Sequence, residues 1–423
     1  MSKSAQIKSA DFKNKPNWFK AINRLWELSY PLGTRVEMNK DDLIKIARRE
    51  TGFTDFGTDF WDEPLDRLLH SINAEADLHS IGRFITKKRL TNLLCVRLRA
   101  EHYFKKYPEI LEQELYPTTV IVGIQRTGTT KLHRMLASDP NCRALASWEA
   151  LNPAPINGDE KSGKERIKFA KMSEHALKYM APNFFAIHPV EHMAPEEDVL
   201  LLDVSFMSTT AEATMHVPVY AEWLERSDQS TAYAYGAKLL KLLQWQKPAK
   251  KWILKTPHHL EFLHLVNEHY NNPQFVWTHR NPLEAVPSFL SMVAYSRSLF
   301  CNNVNANDVS KYWVKKIGYM LKTALEFRAN RAYNQQFVDV DYHDLVNDSL
   351  SILQQIFSHR NEVLTTELEV IFSACEKENP SGKYGKHLYQ LSDFGVDENA
   401  VLEQMKPYME FLNHSKKLHA KQQ

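Results

Sequence analysis

The chain of 423 residues holds only four cysteines, Cys95, Cys142, Cys301 and Cys375. They are scattered, without the short paired spacing of a zinc site, and four in so long a chain make no disulfide scaffold, so a reducing compartment is expected. An excess of charge of one sign is also missing, since 53 Lys and Arg face 51 Asp and Glu. Bulk charge therefore gives no reason to expect nucleic acid or an anionic membrane as a partner, and any anion site must be local. No run of about 18 apolar residues occurs, and Met1 to Lys20 lacks the apolar centre of a secretion signal. The expectation is a soluble, cytoplasmic protein with no transmembrane segment. Internal repeats and low-complexity tracts are absent as well.

What is present is a change of pattern along the chain. From Trp18 to about Tyr107 the apolar residues recur at helical spacing, as in Leu65, Leu68, Leu69 and Ile72. This predicts a helical N-terminal region over 1–115. Asn39, Asp41 and Asp42 suit the start of one of its helices and Gly52 its end. Thr118 to Gly123 is then a short β-branched run that breaks into a loop and leads into a helical pattern from Lys131. Lys251–Lys255, Gln274–His279 and Gln336–Asp341 repeat the alternation of strand and helix. An α/β fold with a parallel sheet flanked by helices is predicted over 116–423. The stretch from about 152 to 248, rich in helix formers and aromatic residues, reads as a helical cap over the C-terminal edge of the sheet, where open α/β sheets bind ligands.

Gly123-Ile-Gln-Arg-Thr-Gly128-Thr-Thr130 has the glycine spacing of a P-loop, between a strand and a helix. Backbone N–H groups and a helix N-terminus converge in such a turn and make an anion site. Arg126 adds a guanidinium fork, and Thr129 and Thr130 add hydroxyl donors. An ATP-binding loop carries Lys and then Ser or Thr after its second glycine, where this chain has Thr129 and Thr130. Kinase chemistry is weakened by that exchange. A sulfuryl group carries roughly one negative charge less than a phosphoryl group, so cationic side chains and hydroxyls suffice and no metal is expected. The glycine pair alone is also compatible with an ordinary strand-to-helix turn.

Arg126-Thr127-Gly128-Thr129-Thr130 resembles the donor loop of the sulfotransferase superfamily, whose members use 3′-phosphoadenosine-5′-phosphosulfate (PAPS) as co-substrate on a P-loop NTPase-like fold. His279-Arg280-Asn-Pro-Leu-Glu-Ala-Val-Pro-Ser288 resembles the second donor signature, in which an arginine and a serine eight positions on hold the 3′-phosphate. Lys255-Thr-Pro-His258-His259 is similar to the segment that carries the catalytic lysine. Val340-Asp-Tyr342-His-Asp-Leu345 resembles, more loosely, the segment that packs on the adenine, and Gly382-Lys383-Tyr-Gly-Lys386-His387 a basic loop that closes on the 3′-phosphate. The order of elements, through Trp148 and Glu149, is most similar to a bacterial-type subgroup related to tyrosylprotein sulfotransferases. Similarity spans most of the chain, while the two donor motifs and Lys255 carry its specificity.

The resemblance implies transfer to a hydroxyl acceptor by in-line displacement, with fixed cations where charge develops on the leaving phosphate. Lys255 is assigned to the leaving oxygen, helped by Arg126 and Thr129 or Thr130; singly, a lysine there reads as a solvated strand end. Two residues compete as general base. Glu149, beside Trp148, is preferred, because desolvation would raise its proton affinity. His258 is the alternative. His188, His192, Glu196 and Glu197 belong to the insert and either line the acceptor pocket or are ordinary surface polar groups. The aromatic residues Phe184, Phe185, Phe206, Tyr220, Trp223, Tyr233 and Tyr235 read first as core of the cap; any exposed to the cleft favour an apolar or aromatic alcohol. A small-molecule or lipid-like hydroxyl compound is the expected partner, its identity not legible. The rival readings are a P-loop nucleotide or small-molecule kinase and a non-catalytic nucleotide-binding protein.

Overall fold

A computed structural model describes residues 6–13, 15–28, 37–58, 60–156, 158–159, 162–380 and 386–419. Five strands form its main sheet: β1 (Thr118–Val122), β2 (Cys142–Ala144), β3 (Lys251–Lys255), β4 (Gln274–His279) and β5 (Phe337–Asp341). They lie in the order β2-β3-β1-β4-β5, and every pairing is parallel. Every residue of β1 and β4 is buried. Cover on both faces is why these strands read as continuous apolar runs. The period of two still sorts them: Val120, Trp252 and Trp277 face one core, while Ile121, Ile253 and Val276 face the other. The expected α/β architecture is thus present, and β2 is an addition. Its three residues, Cys-Arg-Ala, carry no apolar run and pair only with β3, at the sheet's edge.

The N-terminal residues fold into helices, among them Lys40–Thr51, Asp62–Glu75 and Ser80–Lys106. The Asn39 side chain accepts from the amides of Asp41 and Asp42, and Gly52 ends that helix at φ 73°. Leu43, Leu65 and Leu94 share one apolar core with the sheet's Val120, Trp252 and Trp277. Residues 6–8 also pair, in parallel, with 386–388.

The insert between β2 and β3 is helical but only partly a cap. Ser230–Gln246 packs alongside the sheet, where Gln244 accepts from the Tyr116 amide and the Trp252 indole. Phe185, Phe206, Tyr220, Tyr233 and Tyr235 are buried as core. Residues 192–196 instead run beside 145–148, with Trp148 N donating to His192 O, Ser147 N to Ala194 O and Glu196 N to Leu145 O. This return brings the residues that follow to the C-terminal edge of β3. No helix among the described residues is long and apolar enough to cross a membrane.

At the start of Ser80–Lys106, Nδ1 of His79 accepts from the Gly82 amide at 2.9 Å. Burial, helped by the charge of Lys15, pushes His79 down to about 4. A proton on Nδ1 would break the cap. Because the folded-state value lies below the unfolded one near 6.5, this stabilisation is complete above pH 6.5 and is lost as pH falls toward 4. Thermal unfolding against pH should show that loss, up to about 3 kcal/mol. His79→Asn, which keeps a capping oxygen without a titrating group, should flatten its share of the slope.

Candidate active site

The turn out of β1 leaves no room for a side chain at Gly123. Its φ is 143°, and a Cβ there would lie 2.4 Å from the Thr278 hydroxyl and 2.7 Å from the Thr278 carbonyl oxygen. The Thr127 hydroxyl then closes the loop inward, 2.7 Å from Ile124 O and 2.7 Å from Thr278 Oγ1. Thr127 therefore buttresses the loop, and its side chain, expected at the donor, is directed into the sheet. Gly128, at φ 91°, precedes the helix Thr129–Ala137, which has no side-chain cap. The first amides of a helix have no partner within it, so here they are free to meet an anion.

A cleft of about 580 Å³ opens over this loop. Arg126, Gly128, Thr129, Thr130 and Lys131 form one wall, Arg280 and Tyr342 another, and His188 and Glu197 come from the insert. Arg280 Nη1 donates to Arg126 O at 3.0 Å, its Nε to Glu284 at 3.0 Å, and its guanidinium lies 4.0 Å from the Tyr342 ring centroid. Burial lowers the proton affinity of Arg126, and the charge of Arg280 acts in the same direction. An anion between the two would relieve both effects. Ser288 lies on the helix Pro282–Ser298, which runs through Pro287. Its hydroxyl is fully buried and without a hydrogen-bond partner among the described residues, and it is not on the cleft wall.

Lys255 ends β3 with its ammonium 2.6 Å from Glu197 Oε1, and Thr256 Oγ1 donates to Glu197 Oε2 at 3.2 Å. Glu197 is the insert's contribution to the cleft. His188 faces the same space; burial lowers its proton affinity, with Glu196 and Glu197 opposing and Lys255 and Arg126 assisting.

Neither of the two residues expected as base reaches the cleft. Glu149 is buried, with Oε1 on Arg143 at 2.5 Å and Oε2 accepting from the Ala146 amide at 3.1 Å. Both oxygens are committed to holding the chain on the sheet edge. His258 is buried beside Tyr233 and Phe262, with Nε2 3.3 Å from Gln229 Oε1, and burial holds it well below its ordinary value. Lys383 lies outside the described residues, and Lys386 is placed by its backbone in the strand paired with 6–8. Sequence reasoning overlooked Lys131, which follows the loop directly and donates to Leu345 O at 2.9 Å and to Glu376 at 2.5 Å. Its adjacency to Thr130 was the available signal.

A glycine loop that joins the central strand of a parallel sheet to an uncapped helix, with two arginines converging beside it, defines an α/β protein of P-loop-like fold. Residues 117–363 match the sulfotransferase family, and the chain belongs to that family. The sulfotransferase STF1 of Mycobacterium tuberculosis H37Rv is similar at 28% identity, with a TM-score of 0.77 over 88% of this chain and 99% of that one. The sulfotransferase STF9 of Mycobacterium avium shares the fold at 23% identity and TM-score 0.80, over 90% of this chain and 98% of that one. No curated protein sequence matches significantly. The likeness to tyrosylprotein-type enzymes stays an expectation of the sequence.

Gly123→Ala should force the loop away from Thr278. A loss of about 1–3 kcal/mol is expected from a side chain in a glycine-only conformation, measured by denaturant unfolding against the parent protein.

Proposed function

We propose that this sulfotransferase uses PAPS as donor and moves its sulfuryl group in line to a hydroxyl acceptor. The observation that carries the reading is Glu197, on the wall of the cleft that holds Arg126 and Arg280, with the buried ammonium of Lys255 behind it at 2.6 Å and off the cleft wall. The loop amides, Arg126, Thr129 and Thr130 would hold the 5′-phosphosulfate. Arg280 suits the 3′-phosphate, while the expected partner Ser288 is buried away from the cleft wall and is left out of the assignment. Tyr342, under Arg280, fits the adenosine side. Lys383 and Lys386 keep the closing role that the resemblance implies.

In this mechanism the acceptor oxygen attacks sulfur while its proton passes to Glu197. The bond between sulfur and the bridging oxygen breaks, and its electron pair stays on the phosphate, where Lys255 and the loop donors offset the charge. Glu197 takes the part first assigned to Glu149 or His258, because it is the carboxylate of the cleft wall that Lys255 bonds. Lys131 is held by Leu345 O and Glu376, which counts against a kinase reading.

Calorimetric titration should give binding of 3′-phosphoadenosine-5′-phosphate without metal and little protection by ATP with Mg²⁺; the reverse would sink the assignment. Labelled PAPS with a panel including 4-nitrophenol, 2-naphthol and 1-octanol should reveal transfer. Glu197→Gln is expected to lower kcat by about 10²–10⁴-fold with nucleotide affinity nearly unchanged. Arg280→Ala should instead weaken nucleotide binding about tenfold or more, a loss of about 1.4 kcal/mol or more.

A further inference from the structure

Glu197 is not anchored alone. The next residue, Asp198, also reaches the segment that follows β3: its Oδ2 lies 2.8 Å from His259 Nε2 and accepts from the Tyr270 hydroxyl at 3.1 Å. The Tyr233 hydroxyl lies 2.8 Å from His259 Nδ1. The side chains of Asp198 and His259 are both 0% exposed. With Asp198 ionised, these three contacts agree when His259 Nε2–H donates to Oδ2 and Nδ1 accepts from Tyr233. Burial opposes that ionisation, but the electrostatic attraction of His259 N–H and the hydrogen bonds from His259 and Tyr270 outweigh it and hold the carboxyl below its ordinary value.

Two consecutive acids thus grip one short turn at two points. Glu197 takes Lys255 and Thr256, and Asp198 takes His259 at the middle of the turn Pro257–Glu261. The far end of that turn is held separately, with Glu261 Oε2 2.7 Å from Lys316 on the helix Ala306–Ala329. Adjacent Cα atoms are about 3.8 Å apart, so anchoring residue 198 leaves Glu197 little freedom beyond its own rotamers. Stability alone is a weak reason for these groups, since buried ion pairs can often be replaced by apolar residues without loss. Placement is a stronger one: a shift of about 1 Å in a reacting group can cost about 100-fold in rate.

We propose that Asp198 is a positioning residue for sulfuryl transfer, whose bond to His259 sets the spacing between the base Glu197 and the leaving-group cation Lys255. The proposal rests on the reading of that pair as the reacting groups. Asp198 touches neither donor nor acceptor, and it acts by holding the insert in register with the end of β3.

The test compares Asp198→Asn and Tyr270→Phe with the parent, using labelled PAPS and whichever of 4-nitrophenol, 2-naphthol and 1-octanol turns over fastest. Asp198→Asn should lower kcat about tenfold or more, and Tyr270→Phe less. Affinity for 3′-phosphoadenosine-5′-phosphate should stay within about threefold for both. Adding His259→Gln to Asp198→Asn should cost little further, because the two act through one bond. An unchanged kcat in a folded Asp198→Asn protein would overturn the proposal, as would nucleotide affinity falling in step with kcat. Should Asp198→Asn not fold, His259→Gln with the same split between kcat and affinity decides. A parallel Glu197→Gln protein with parental kcat would overturn the reading of the reacting pair itself, and the positioning role with it.

Discussion

The close approach of β1 to Thr278 is the constraint on which the site depends. With no space for a Cβ at Gly123, the chain turns against the Thr278 hydroxyl and carbonyl, and the Thr127 hydroxyl fastens the far side of the turn to the same threonine. The backbone must then pass through left-handed conformations at Arg126 and Gly128, with φ of 74° and 91°. This geometry presents the start of the helix Thr129–Ala137 to the cleft and leaves Arg126 O free to receive Arg280 from the end of β4. Two neighbouring strands of the sheet are thereby locked together at the glycine loop by a pair of threonine hydroxyls and one guanidinium.

Charge in this protein is used in two ways that exposure separates. Glu149 and Arg143 form a pair whose side chains are 6% and 4% exposed, with the arginine also donating to the carbonyls of Leu243 and Lys247. Every polar atom of that carboxylate is consumed in fastening the edge strand β2 to the chain around it. Glu197 keeps 23% of its side chain exposed, on the wall of the cleft, with Lys255 beside it. That exposure is what the proposed base requires, since its oxygen must be reached by the acceptor, and the carboxylate sealed against Arg143 lacks it. The same logic sets His258, enclosed by Tyr233 and Phe262, apart from His188, which faces the cleft.

Much of the fold was legible because it is written in local pattern. The continuous runs of β1, β3 and β4 announce strands covered on both faces, and Asn39 and Gly52 mark a helix by interactions within a few residues. β2 escaped notice because a three-residue edge strand takes its stability from β3 and needs no apolar signature of its own. Within the site, Arg126, Lys255, Arg280 and Tyr342 were each identifiable, since each sits at or just beyond the C-terminal end of a recognisable strand.

The sequence by itself determined which strand ends carry cations and that a glycine turn joins β1 to a helix, because those facts depend on neighbours along the chain. Tertiary structure decided which acid meets Lys255. Glu197 is 58 residues away from it, and the contact exists because residues 192–196 return beside 145–148 and deliver the following pair of acids to the edge of β3. It also turned Thr127 inward and sealed Glu149 against Arg143. Side-chain direction at these positions is set by packing against distant segments, and no local propensity encodes it.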